Sequence, residues 1–240
     1  AIQAELGQGN DEILLQAGVA NSVDAGSGND IVFISTSGST ITDSKLDGGD
    51  GVDTLGFGFW DAGGQAVTIT LNTGVVSNFE NLVGSTFNDS LTGDANSNAI
   101  FGGSGSDILY GLAGNDYIYG DDGGSALSNL SYNAAGGQTE QNDDYGDDEL
   151  YGGDGNDTLS GDLGDDLLDG GAGKDTITTG SGSDTIILRI GDGGTELSDA
   201  DIITDFTDGS DDFGLSSGLT YSQLTISQGE GDYADDTLIS

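Results

Sequence analysis

Gly102-Gly103-Ser104-Gly105-Ser106-Asp107-Ile108-Leu109-Tyr110 runs directly into Gly111-Leu112-Ala113-Gly114-Asn115-Asp116-Tyr117-Ile118-Tyr119. The two nonapeptides share Gly at the first and fourth positions, Asp at the sixth and a branched aliphatic at the eighth. The frame returns at residue 143 and continues from 152, 161, 170 and 179. Its sixth position is then Asp148, Asp157, Asp166, Asp175 and Asp184, its eighth Leu150, Leu159, Leu168, Ile177 and Ile186, and its fourth Gly146, Gly155, Gly164, Gly173 and Gly182. Three columns held in phase over seven units define a repeat, and a repeat of this period decides the architecture before any other feature.

These units resemble the RTX, or hemolysin-type, calcium-binding nonapeptide G-G-x-G-x-D-x-U-x, where U is a large aliphatic residue. Degenerate copies extend the likeness upstream. One starts at Gly84 with Asp89 and Leu91, and the next at Gly93 carries Asn98 in place of Asp, with Ile100 behind it. Imperfect units lie earlier still, around Asp11, Asp30 and Asp53. The resemblance implies an all-β fold, a parallel β-roll built as a β-helix-like solenoid with β segments capping its ends. Glycines at positions one, two and four permit positive φ and turn carbonyls toward a common point, while residues seven to nine form a short strand with position eight inward. Two nonapeptides make one coil, so Asp148, Asp166 and Asp184 stack along one edge and Asp157 and Asp175 along the other. The ninth position should face out, which leaves Asp169 a surface acid.

The ligand set implied by the resemblance is Asp89, Asp107, Asp116, Asp148, Asp157, Asp166, Asp175 and Asp184, with Asp11, Asp30, Asp53 and Asn98 from the degenerate copies. Carboxylates bridging ions before and after them are completed by peptide oxygens from Gly103, Gly105, Gly114, Gly146, Gly153, Gly155, Gly164, Gly171, Gly173 and Gly182. The implied cofactor is Ca²⁺ in several copies, roughly six to ten per chain. An EF-hand is the other calcium design, but no loop of the form D-x-[DN]-x-[DN]-G with a closing Glu occurs.

Composition agrees with a hard cation. Of the 240 residues, 43 are acidic and three are basic (Lys45, Lys174 and Arg189), giving a formal charge of −40, and there is no His or Cys. A compact fold with that much like charge repels itself unless fixed cations neutralise it, and an oxygen-only donor supply favours Ca²⁺ over softer metals. Nucleic acid is excluded as a partner because phosphate binding needs clustered Lys and Arg. Without Cys there is no disulfide framework, and no apolar run approaches the roughly 18 residues of a membrane helix. No charged-then-apolar leader precedes Ala1, so the expectation is a chain that begins mid-protein or is exported on a signal elsewhere.

The frame divides the chain into degenerate repeats over 1–56, a connector over 57–83, the roll proper over 84–187 with an inserted loop at 121–142, and a capping segment over 188–240. In the connector, Ala66–Leu71 alternates with β-branched residues before the turn at Asn72-Thr73-Gly74, the signal of a hairpin or an added strand. Phe57, Phe59 and Trp60 read as core or cap aromatics. The inserted loop is about fourteen residues longer than whole repeats require. Asp121, Asp122, Glu140, Asp143 and Asp144 crowd its ends, as a further ion site or as a solvated loop base. The ladder ends after Ile187, and Phe206, Phe213, Leu215, Leu219, Tyr221, Leu224 and Ile226 supply the cap that a bare solenoid end needs.

Nucleophilic triads are excluded by the missing His and Cys. A carboxylate pair for glycoside hydrolysis is not excluded by counting, yet the phased acids are committed to metal, so the chain is not expected to be an enzyme. Two function classes remain. The first is an extracellular, structural or adhesive calcium module of a secreted bacterial protein, folding on Ca²⁺ after export by a type I secretion apparatus and attaching to or assembling on a surface, without membrane insertion. The second is the folding and secretion portion of a larger secreted lipase, protease, epimerase or pore-forming toxin.

Overall fold

The computed structural model describes residues 1–16, 18–35, 43–57, 65–121, 146–190, 199–216, 218–224, 226–228 and 237–239. Short strands follow the repeat because each nonapeptide offers a run of three extended residues whose middle member alone is large and aliphatic. Leu82, Leu91, Ile100, Leu109, Ile118, Leu150, Leu159, Leu168, Ile177 and Ile186 are all buried in one continuous core. Alternation along a strand sends positions seven and nine to the outside. The core is therefore one side chain deep from each sheet.

Nine parallel strands form one face: Glu12–Gln16, Ile31–Ser35, Thr54–Phe57, Asn81–Val83, Ala99–Phe101, Tyr117–Tyr119, Thr158–Ser160, Thr176–Thr178 and Ile202–Ile203. The opposite face is made of two parallel sheets. Gln3–Gln8, Ser22–Ser27, Lys45–Asp47 and Val76–Ser77 form the first; Thr68–Thr70, Ser90–Thr92, Ile108–Ala113, Glu149–Asp154, Leu167–Ala172, Thr185–Leu188 and Asp212–Leu215 form the second. An antiparallel pair, Ile226–Gln228 with Thr237–Ile239, stands apart from these faces. The fold is a parallel β-roll, and among the described residues no helix is long and apolar enough to cross a membrane.

Strand register shows how the coil tolerates irregular sequence. Thr158 pairs with Thr176 and Leu150 with Leu168, the 18-residue step of two nonapeptides. Near the N-terminus the step lengthens to 19 between Glu12 and Ile31 and to 23 between Ile31 and Thr54. Each extra residue is absorbed outside the paired strands.

Of the two readings of the connector, the added strand describes it: Thr68–Thr70 pairs with Ser90–Thr92 in one sheet and Val76–Ser77 with Lys45–Asp47 in another, so it lies where the second face changes sheets. Two expectations change. Across the insertion Ile108 pairs directly with Glu149, an offset of 41 in place of 18, so the surplus is 23 residues. Gly120 is the first position and Asp148 the sixth position of one repeat, which puts the insertion inside a turn. The chain after Ile187 continues the roll, since Ile202–Ile203 pairs with Thr176–Ile177 and Asp212–Leu215 with Thr185–Leu188.

Phe213 and Ile203 pack against the last core layer, and Phe206 stacks on Phe213 at 4.7 Å between ring centroids. Leu215, Leu219 and Leu224 are half-buried, but Tyr221 is 75% exposed and contributes no cap. Phe57 is buried in the core. Phe59 and Trp60, the acids at Asp122, Glu140, Asp143 and Asp144, and the side chain of Ile226 lie outside the described residues.

Candidate metal centre

Each sixth-position side chain meets the coil before it. The main-chain amide of Asp148 donates to Asp166 Oδ1 at 2.9 Å, and that of Asp166 donates to Asp184 Oδ1 at 2.9 Å. Upstream on the same edge the amide of Asp89 donates to Asp107 and that of Asp107 to Asp148, both at 2.7 Å. The other edge repeats the pattern, from Asn98 to Asp116 at 2.7 Å, Asp116 to Asp157 at 2.8 Å and Asp157 to Asp175 at 2.9 Å. Near the N-terminus Asp11 donates to Asp30 and Asp30 to Asp53, each at 2.7 Å. The stacking expected from the repeat is present, but one oxygen of each carboxylate is committed to a backbone amide. Bridging in both directions narrows to the second oxygen.

That second oxygen is the informative one. Oδ2 of Asp11, Asp30, Asp53, Asp107, Asp116, Asp148, Asp157, Asp166 and Asp184 is buried and has no hydrogen-bond partner. Native interiors rarely leave a charged oxygen so, because its desolvation goes uncompensated. The space before it is shaped by the first-position glycine. A methyl group at Gly161 would lie 2.4 Å from Asp166 Oδ2 and 2.4 Å from the carbonyl oxygen of Thr179 in the next coil. At Gly152 the corresponding neighbours are Asp157 Oδ2 and the Gly170 carbonyl, each at 2.4 Å, and at Gly120 they are Asp148 Oδ2 at 2.2 Å and the Gly161 carbonyl at 2.6 Å. Asp175 Oδ2 faces Gly170 in the same way.

The remaining glycines shape the turn around this space. Gly103, Gly153 and Gly171 at the second position have φ of 109, 113 and 96°, and Gly105, Gly114, Gly155, Gly164, Gly173 and Gly182 at the fourth have φ between 107 and 159°. A side chain at the fourth position would strike the equivalent carbonyl of the coil before, as Gly173 would strike that of Gly155 and Gly146 that of Gly105. Only glycine lets the turns stack so closely.

Unneutralised, this arrangement is electrostatically costly. Burial, reinforced by the carboxylates in neighbouring coils, pushes Asp107 up to about 9, Asp148 to about 8 and Asp166 to about 7. Burial likewise raises Asp53, Asp116 and Asp157 to about 6. A buried carboxylate in such a row is stabilised by a proton or by a cation. Among the described residues no three acidic side chains converge on one point. Each site is thus a single carboxylate oxygen beside main-chain carbonyls, a donor set that fits a large, hard ion tolerant of irregular oxygen geometry. Ca²⁺ would be held by Oδ2 of the sixth-position Asp together with turn carbonyls, supplying the positive charge that the rows lack.

Two residues expected as ligands stand differently. Asp89 Oδ2 accepts the main-chain N–H of Ser85 within its own turn, and Asn98 Oδ1 accepts that of Asp94 at 2.8 Å. Sequence reasoning also missed several members of the rows. Glu80 Oε2 accepts the amide of Asp53 at 2.8 Å, in the place of a sixth-position Asp, and Asp201 accepts that of Asp175 at 2.9 Å. Asp211 accepts the amide of Asp184 at 3.3 Å. No period marks these three, since offsets of 26 or 27 residues separate them from their neighbours in the row.

An outer ladder runs beside the inner one on fifth-position side chains. Asn156 N–H donates to Asn115 Oδ1, Lys174 N–H to Asn156 Oδ1, Asp165 N–H to Asp147 Oδ1 and Ser183 N–H to Asp165 Oδ1. Asp169 is not the surface acid that its ninth position predicts. It is 3% exposed and pairs with Arg189, because the strand after Thr185 returns the guanidinium over the ninth-position column.

Five stretches in two blocks, residues 77–109 and 92–125, then 142–168, 151–186 and 160–193, match the family described as RTX calcium-binding nonapeptide repeat. No curated protein matches the chain.

Proposed function

From the premise that residues 77–193 carry RTX calcium-binding nonapeptide repeats, we propose that this calcium-binding β-roll is an extracellular structural module that folds on Ca²⁺ after secretion. The observation that carries this reading is the row of buried carboxylate oxygens without hydrogen-bond partners, six of which (Asp53, Asp107, Asp116, Asp148, Asp157 and Asp166) lie beside a turn carbonyl. Folding then requires a ligand absent from the exporting compartment and abundant outside, since binding free energy to a site that exists only in the folded state is folding free energy. Export of an unfolded chain by a type I apparatus is compatible with that dependence. The module serves attachment or surface assembly and carries no catalysis of its own: its phased acids face turns, and a base such as His is lacking in the whole sequence.

The test is a calcium titration of chelated protein followed by circular dichroism, with bound metal counted at the end point. The expected result is a cooperative gain of β signal and several Ca²⁺ per chain, with Mg²⁺ ineffective because it demands a tight octahedron. A compact β fold in chelator that takes up one ion or none would sink the proposal. Light scattering of the loaded protein separates a monomeric module from one that assembles.

A further inference from the structure

Outside the interrupted turn from Gly120 to Asp148, where Asp121 lacks positive φ and Asp148 Oδ2 is nonetheless unpartnered, the following turns are of two kinds that the second position tells apart. Where the second residue has positive φ, as at Gly7, Gly26 and Gly49 (103, 106 and 100°), Oδ2 of the sixth residue, Asp11, Asp30 or Asp53, is left without a partner. The same holds where the second residue is not glycine, at Leu112 (82°) before Asp116 and at Asp162 (69°) before Asp166. Ser85, Asp94 and Thr207 lack positive φ, and each donates its main-chain N–H to the sixth side chain of its own turn, Asp89, Asn98 or Asp211. In these sealed turns an N–H dipole stands where the others need a cation.

We propose that the roll carries two separate calcium arrays, one at Asp11, Asp30 and Asp53 and one from Asp107 to Asp184, divided by a metal-free seam at Asp89 and Asn98. The first array lies outside the matched residues 77–193. It is supported by geometry of its own: Asp30 and Asp53 are completely buried with Oδ2 unpartnered, and a methyl group at Gly48 would lie 2.8 Å from Asp53 Oδ2 and 2.0 Å from the carbonyl oxygen of Asn78, a cradle that Gly84 also forms beside Asp89, where the oxygen is instead satisfied by Ser85. The seam lies inside the matched residues, yet its hydrogen bonds are complete. Asn98 fits this role, because its amide carries no charge and its Nδ2 donates to the Glu80 carbonyl at 3.1 Å. Asp211, sealed by Thr207 at 2.6 Å, closes the second array at its far end.

The inference rests on the ladder binding Ca²⁺, and the test separates the two claims. Bound calcium is counted by equilibrium dialysis and isothermal titration on the full chain for Asp30→Asn, Asp89→Asn, Asn98→Asp and Asp166→Asn. The amide substitutions keep the oxygen that receives the neighbouring coil's N–H. Asp30→Asn and Asp166→Asn are expected to lose at least one ion each, whereas Asp89→Asn and Asn98→Asp leave the number unchanged. An ion lost by Asp89→Asn with unaltered circular dichroism, an ion gained by Asn98→Asp, or full calcium content in Asp30→Asn overturns the two-array proposal. Should Asp89→Asn fold poorly, Asn98→Asp decides the seam. Full calcium content in Asp166→Asn overturns the calcium reading itself.

Discussion

Two turns on one edge of the roll, Gly84–Asp89 and Gly161–Asp166, have the same six-residue spacing and opposite electrostatics. In the first, the N–H of Ser85 and its hydroxyl, the latter at 3.0 Å, both reach the Asp89 carboxylate, and the turn is complete in itself. In the second, Asp162 has φ of 69° and Asp166 Oδ2 is left without a hydrogen-bond partner, although the Oδ2 atoms of both turns face a carbonyl of the next coil. A peptide rotation at one residue thus decides whether a turn supplies its own positive dipole or requires an ion. The carboxylate spacing alone does not distinguish the two.

The largest expected effect comes from removing calcium. Stacked, buried carboxylates then repel one another along each edge with only a thin core to oppose them, so the β signal falls and the chain expands in solution scattering. The two kinds of turn should also differ in the order in which they open. In protein with substoichiometric chelator, hydrogen exchange is expected to accelerate first at the amides of Asp148 and Asp157 and last at those of Ser85 and Asp94. Simultaneous loss at all four would show that the turns behave as one cooperative unit despite their different wiring.

Protons should partly replace the ions. Asp107, Asp148 and Asp166 are raised in the folded chain to about 9, 8 and 7, well above the roughly 3.9 of an unfolded Asp. The folded state then binds protons more tightly than the unfolded one. Their stabilisation of the metal-free fold is complete below the unfolded value and is lost as pH rises through about 7 to 9. Chelated protein is expected to regain β signal on acidification from pH 9 toward pH 4, while calcium affinity weakens over the same window. A metal-free signal independent of pH would show that burial of these carboxylates is not what opposes folding.

Much of this was legible in the sequence. A period of nine with Gly, Asp and aliphatic columns gave the roll, the inward eighth position and the stacked sixth position, because one local unit repeats one physical solution. What escaped was set by contacts without a fixed period. Glu80 joins the Asp row through a connector of irregular length, Asp201 and Asp211 join it after the frame has lapsed, and Arg189 reaches Asp169 only because the chain continues one coil further. The sealed turns escaped for another reason. Ser85 and Leu112 occupy the same position, and nothing in their identity announces that the more awkward residue of the two takes the left-handed conformation.

Single substitutions within the second array come next in size. Asp166→Ala removes an oxygen facing the ion space and the acceptor for the Asp148 amide, so the calcium midpoint for folding should rise severalfold and the metal count should fall. The matched control is Asp154→Ala, since Asp154 is exposed and pairs in register with Ala172 one coil on, where alanine is already accommodated. Its midpoint should stay unchanged or improve slightly through reduced repulsion. Asp169 is unsuitable as that control, because its loss would strip Arg189 of its partner. Equal midpoints for Asp166→Ala and Asp154→Ala would mean that bulk charge, not the phased oxygens, governs calcium.

The smallest expected effect tests whether the array or the local sequence sets the turn. Leu112 has φ of 82° and is 47% exposed, so its side chain gains little from packing while its backbone is held where a branched residue is strained. The strain is about 1–2 kcal/mol for an L-residue in the left-handed region, and glycine offsets part of any gain by about 0.5–1 kcal/mol through its greater freedom when unfolded. Leu112→Gly should therefore raise stability in saturating calcium by up to about 1 kcal/mol and leave the metal count unchanged. The measurement is chemical denaturation at fixed calcium, with the count taken on the same sample. If the neighbouring coils impose the conformation, glycine simply relieves strain, because Asp116 Oδ2 and the Gly152 carbonyl beside Gly111 already define the space. If leucine instead determines the turn by its own contacts, Leu112→Gly would release the peptide to rotate as in the Ser85 turn, the N–H would reach Asp116, and one ion would be lost.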